Sequence, residues 1–162
     1  MINTKYPFPL RMFGAEAKVR GLFITISCDF DITISHMIAK MEEPEISKRD
    51  SVLLKLPYET GKKVKRCKDN LKKYNIDYYN KFLPEFTAME ELLKYRNMLA
   101  HGYSQLDENQ KDESYIDFIC IEKGKYRIDR ITLKPFYKNI LRFRKHLTNL
   151  YELHYTLSQE RG

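Results

Sequence analysis

From Ala15 to Met41 the chain contains no proline and no cluster of turn-forming residues, although β-branched residues are frequent there. A stretch of that length without a break reads as one long, mostly buried helix rather than as two strands. The four residues Glu42-Glu43-Pro44-Glu45 close it. The residues before it, 1–14, carry Pro7, Pro9 and Gly14 and read as an irregular arm.

A short apolar patch at Val52 to Leu56 and a break at Pro57 to Gly61 lead into a basic segment. Between Lys62 and Lys73 seven basic residues face one acid, Asp69, while Val64, Cys67 and Leu71 recur at helical spacing. This is an amphipathic basic helix. Its polar face is either an ordinary solvated surface or a phosphate-binding one, with Lys62, Lys63, Lys65, Arg66 and Lys68 as the RNA-binding candidates. A loop-like Tyr74 to Asp77 separates it from a helix placed at Pro84 to His101, where Pro84 is tolerated in the first turn and Gly102 caps the end.

After a polar loop, Ser104 to Ser114, the hydrophobic period changes from helical to alternating. Tyr115 to Ile121 and Tyr126 to Leu133, joined through Gly124, read as a β-hairpin over about 115–133. Pro135 then opens a last helix to about Ser158, with Phe136, Ile140, Phe143, Leu147, Leu150 and Leu157 on its buried side. The expected fold is mainly α, an antiparallel helical bundle with a β-hairpin inserted before the C-terminal helix, in one domain spanning 1–162.

Composition narrows the function. At 162 residues with 43% hydrophobic content the chain can fill a core without disulfides, and its net charge of +7 favours polyanionic partners. Cys28, Cys67 and Cys120 are odd in number and lack CxxC spacing, which argues against a disulfide framework and against zinc. The uncharged run Gly21 to Cys28 is too short for a membrane span and only faintly like an export signal, so a cytoplasmic location without membrane association is expected.

The stretch Glu90 to Tyr103 carries the chemistry. At roughly 100° per residue, Met89, Leu92, Leu93, Leu99 and Ala100 share an apolar face, with Arg96 in its middle. Such an arginine needs a carboxylate or an anionic ligand. Its own helix offers no suitably spaced acid, although Asp29 or Asp31 of the first helix could supply one. Asn97 and His101 stand four apart on one edge beside it, and the last-turn position of His101 favours the imidazolium. An arginine to hold a phosphate, a histidine to move a proton and an asparagine to orient either suffice to cleave RNA through its own 2′-hydroxyl, with no cofactor. In a regular helix Arg96 and His101 would lie about 140° apart, which favours a groove shared by two antiparallel copies.

Arg96-Asn97-Met98-Leu99-Ala100-His101 resembles the R-x(4–6)-H motif of the HEPN superfamily, the higher eukaryotes and prokaryotes nucleotide-binding domains. The resemblance implies a helical bundle and a homodimeric, metal-independent endoribonuclease of the toxin or phage-defence kind. It makes Arg96 and His101 the catalytic pair, with Asn97 as polar companion. Tyr103 extends the similarity to R-x4-H-x-Y toxins, whose tyrosine is modified by a nucleotidyltransferase antitoxin. The hairpin departs from those compact toxins. The alternative expectation is a non-catalytic module binding RNA or a nucleotide in the same cleft.

Overall fold

The computed structural model describes the backbone of residues 10–105 and 112–161, without the side chains of residues 10–13, Asn97, Gln105 and Glu122. Five α-helices and a three-stranded antiparallel sheet make up the described chain. It forms two compact units, one of residues 1–25 and 94–141, the other of residues 26–93 and 142–162.

The long first helix, α1, runs from Leu10 to Glu42. Residues 10–14, expected in an irregular arm, are thus helical. Past Pro9 nothing in Leu10-Arg11-Met12-Phe13 resists the helix, and the single Gly14 does not stop it; the rest of the arm, 1–9, lies outside the described residues. Val19, Phe23, Ile26, Phe30, Ile34, Met37 and Ile38 are buried along one stripe. From Gly14 to Glu42 the helix is long and apolar enough to cross a membrane, with mean hydropathy 1.4 over its most apolar window. Half of that window is covered by the protein itself.

In the second unit a 3-10 turn, Ile46–Lys48, and the short α2, Arg49–Leu53, precede α3, Thr60–Tyr74. Val64, Cys67 and Leu71 of α3 are fully buried, as their spacing requires. The expected loop at 74–77 shrinks to one residue. Asn75 ends α3, its N–H donating to the Leu71 carbonyl (2.8 Å), and starts α4 by accepting the Asp77 and Tyr78 N–H groups at its Oδ1 (3.0 and 3.1 Å). That N-cap lets α4 begin at Ile76, eight positions before Pro84, which therefore lies inside the helix. A proline there costs one backbone bond. Phe82, Phe86, Met89 and Leu92, buried on both sides of it, carry the helix through.

In the first unit the sheet consists of β1, Tyr103–Gln105, β2, Tyr115–Glu122, and β3, Lys125–Thr132, in that order across the sheet. Lys123 and Gly124 have φ of 50° and 74°, the two positive values that a type I′ hairpin turn needs. The hairpin expected at 115–133 is present. One face buries Ile116, Phe118, Cys120 and Ile131. β1 was not anticipated, because three alternating residues carry too little pattern to separate from a loop; its Ser104 and Gln105 leave the expected 104–114 loop, of which 106–111 lie outside the described residues. The last helix, α5, runs from Leu133 to Arg161 with Pro135 in its first turn. All six of its expected buried positions are buried, together with Leu153.

Candidate active site

The motif does not continue α4. That helix ends at Leu93, a turn occupies Lys94 and Tyr95, and Asn97–His101 form a single π-helical turn with Arg96 at its start. Tyr95 packs edge-on against Phe136, with ring centroids 5.8 Å apart. Met98 and Leu99 turn inward and are buried, whereas Ala100 is exposed. The regular face on which Arg96 was expected to sit buried therefore does not form, and Arg96 is half-buried at the surface.

The π turn changes the geometry of the pair. It closes through i→i+5 bonds and needs nearly one residue more per revolution than an α turn. By that geometry five residues amount to little more than one revolution, in place of the offset of about 140° in a regular helix. The side chain of Asn97, the third expected member, lies outside those described.

Neither the Arg96 side chain nor that of the exposed His101 has a hydrogen-bond or ion-pair partner among the described residues. The two carboxylates considered for Arg96 are placed otherwise. Asp31 accepts from Thr60 Oγ1 (2.7 Å) and Lys63 Nζ (2.5 Å), and Asp29 is exposed.

What anchors the turn is Arg20 of α1, which sequence reasoning missed. Its Nη1 donates to the Leu99 carbonyl and its Nη2 to that of Gly102 (2.6 Å), while the guanidinium lies 4.9 Å from the Phe118 ring centroid. Glu16 completes the brace by accepting Arg20 Nε (2.7 Å) and Ser104 Oγ (2.6 Å). A helix C-terminus leaves carbonyls without intrahelical donors and favours a cation; here that cation comes from another helix. The available signal was the Glu16–Arg20 pair at i,i+4 spacing at the start of an apolar helix.

Gly102 is not the left-handed cap the sequence suggested. Its φ of −72° and ψ of 145° are extended. It is small because a Cβ there would collide with the Met98 carbonyl oxygen and lie 3.1 Å from Cys120 Sγ. Tyr103, next in the chain, pairs with Ile119 across the β1–β2 ladder and is 72% exposed.

The basic helix lies in the other unit, and four of its five expected RNA contacts are already paired. Lys62 meets Glu59 (2.9 Å), Lys63 meets Asp31, Arg66 grips Glu42 through two donors, and Lys68 meets Glu90 (2.8 Å). The Arg66 guanidinium holds the Glu42 carboxyl below the usual range. Lys65, Lys72 and Lys73 have no carboxylate partner among the described residues, and Lys72 lies over the Tyr79 ring. Of the remaining histidines, His154 is engaged by Lys40 Nζ (2.9 Å) and the edge of His36; burial and the nearby Lys40 push it down to about 4. His146 is half-buried, 3.9 Å from Glu85. No group of three or more potential metal ligands occurs among the described residues.

Comparisons with protein-family models, with curated proteins and with solved structures give no match for this chain.

Proposed function

We propose that the chain is a metal-independent endoribonuclease of the HEPN type, with Arg96 and His101 as its catalytic pair and RNA as its substrate. The observation that carries the reading is that Arg96 and His101 stand at the two ends of one π turn, each side chain without a protein partner among the described residues. A half-buried guanidinium in that position favours an anion.

In this scheme the substrate 2′-hydroxyl attacks its own phosphorus in line, and the P–O5′ bond breaks. The products are a 2′,3′-cyclic phosphate and a free 5′-hydroxyl. Arg96 neutralises the charge building on the non-bridging oxygens, and His101 either takes the 2′ proton or gives one to the leaving 5′ oxygen, with water serving the other transfer. Asn97 orients the phosphate or the imidazole. Arg20 and Glu16 fix the backbone from which both catalytic groups project, so the pair is preorganised.

Lys65, Lys72 and Lys73, without carboxylate partners among the described residues, add a phosphate-binding surface without base preference. The same reading makes the chain a toxin or phage-defence effector acting on cytoplasmic RNA as a homodimer, and makes the exposed Tyr103 hydroxyl available to a modifying antitoxin. The test is cleavage of RNA by purified protein in excess chelator, with Arg96→Ala and His101→Ala as controls. Binding without turnover would replace the nuclease by a non-catalytic RNA- or nucleotide-binding module.

A further inference from the structure

β3 is the long edge of its sheet. Among the described residues it pairs with β2 alone, and all of it except Asp129 and Ile131 is exposed. An eight-residue edge strand leaves a row of backbone donors and acceptors open for another strand.

The hairpin decides which groups those are. A two-residue turn closes on a pair that exchanges backbone hydrogen bonds, here Glu122 and Lys125. Lys125, Arg127, Asp129 and Ile131 therefore direct their amides and carbonyls to β2, and Tyr126, Ile128, Arg130 and Thr132 direct theirs outward. The side chains of Tyr126 and Ile128 join Ile119, Ile121 and Tyr103 on the sheet face opposite the buried one, and four of these five are more than half exposed.

We propose that β3 is a self-association strand, on which two copies of this chain pair antiparallel about a two-fold axis at Ile128. The sequence Lys125-Tyr126-Arg127-Ile128-Asp129-Arg130 selects that register. Opposed residues must share both a face and a hydrogen-bonding phase, so the axis has to pass through a residue. Placed at Arg127, Asp129 or Arg130, it sets a charge against its own copy; placed at Tyr126, it sets Lys125 against Arg127 twice. Among axes through residues 126–130, only the one at Ile128 brings all central pairs into agreement. Arg127 and Asp129, which already pair within the strand (2.9 Å), then also face Asp129 and Arg127 of the second copy, at the closer non-hydrogen-bonded sites, and Tyr126 faces Arg130 twice. Ile128 meets Ile128 and covers part of the apolar face.

This pairing does not depend on the nuclease reading. It leaves β1 on the outer edges of a six-stranded sheet, so the two Arg96–His101 pairs stand apart rather than sharing one groove.

The test is sedimentation equilibrium of the full chain from low to high micromolar concentration, with circular dichroism to verify folding. Arg127→Asp and Asp129→Arg each turn two attractive pairs into repulsive ones and should weaken the dimer about tenfold or more. The double variant R127D/D129R restores the attractions in the same register and should restore the dimer. A monomeric wild-type chain, a dimer indifferent to the single variants, or a double variant that stays monomeric would overturn the proposal. If the single variants do not fold, amide exchange of the wild type decides instead. Protection of the Tyr126, Ile128 and Arg130 amides that rises with protein concentration supports the strand pairing, and its absence refutes it.

Discussion

The Arg20 guanidinium donates to the Gly102 carbonyl at 2.6 Å, bridging positions 82 residues apart in the chain and tying the first helix to the end of the turn that carries Arg96 and His101. The same group takes the Leu99 carbonyl and is itself held by Glu16. One arginine thus satisfies two carbonyls that a distorted helix end leaves open.

Removing it should be costly. Arg20→Ala leaves both carbonyls and Glu16 without that donor and is expected to lower stability by about 1–3 kcal/mol. Arg20→Lys keeps the charge but loses the fork and should fall between. Urea denaturation of the three proteins measures the order; an alanine variant as stable as wild type contradicts the brace.

Gly102 and Gly61 make a matched pair of tests. Gly102→Ala forces its methyl against Met98 and Cys120 and should destabilise by about 1–3 kcal/mol. Gly61→Ala, inside α3 with nothing within 4 Å of the new Cβ, should stabilise by about 0.4–1 kcal/mol. Thermal melts of both variants suffice, and equal effects at the two positions would remove the close-approach explanation.

The basic helix divides into paired and unpaired cations. Lys65→Ala should leave stability within about 0.5 kcal/mol of wild type and reduce the salt dependence of RNA binding by about 0.7 in log–log slope. Lys63→Met should leave that slope unchanged and lower stability, because it strips Asp31 of its cation. Fluorescence anisotropy with a labelled single strand, titrated at several salt concentrations, separates the two effects.

Acid should weaken the second unit through His154. Its folded-state value of about 4 lies below the ordinary imidazole value of 6.5. Between those limits the unfolded chain binds the extra proton, so this contribution is complete above pH 6.5 and is lost as the pH falls toward 4. For a half-buried ring the loss is of the order of 1–2 kcal/mol after solvent screening. Chemical denaturation of wild type and His154→Gln from pH 7 to pH 4 should show the gap between them shifting in favour of the variant. Parallel curves would exclude the histidine as the cause.

Elements with strong periodicity were legible in the sequence: α1, α3, the hairpin and α5 follow from apolar spacing and turn residues alone. What was not legible came from tertiary contacts. Pro84 reads as a helix start, yet Asn75 caps the helix a full two turns earlier and burial of Phe82 and Phe86 outweighs the missing bond. The motif reads as continuous α-helix, since nothing local in Tyr95-Arg96-Asn97 announces a π turn; Tyr95 on Phe136 and Arg20 on the carbonyls are long-range contacts. Lys63, Arg66 and Lys68 read as free charge because their carboxylates lie as far away as Asp31, Glu42 and Glu90.

The most direct measurement is a cleavage assay with purified chain, labelled single-stranded RNA and excess EDTA. The account predicts fragments ending in 2′,3′-cyclic phosphate and 5′-hydroxyl groups, with turnover reduced at least about a hundredfold in both His101→Ala and Arg96→Ala while each variant keeps its fold. Cleavage that survives both substitutions, or that stops on chelation, would contradict it.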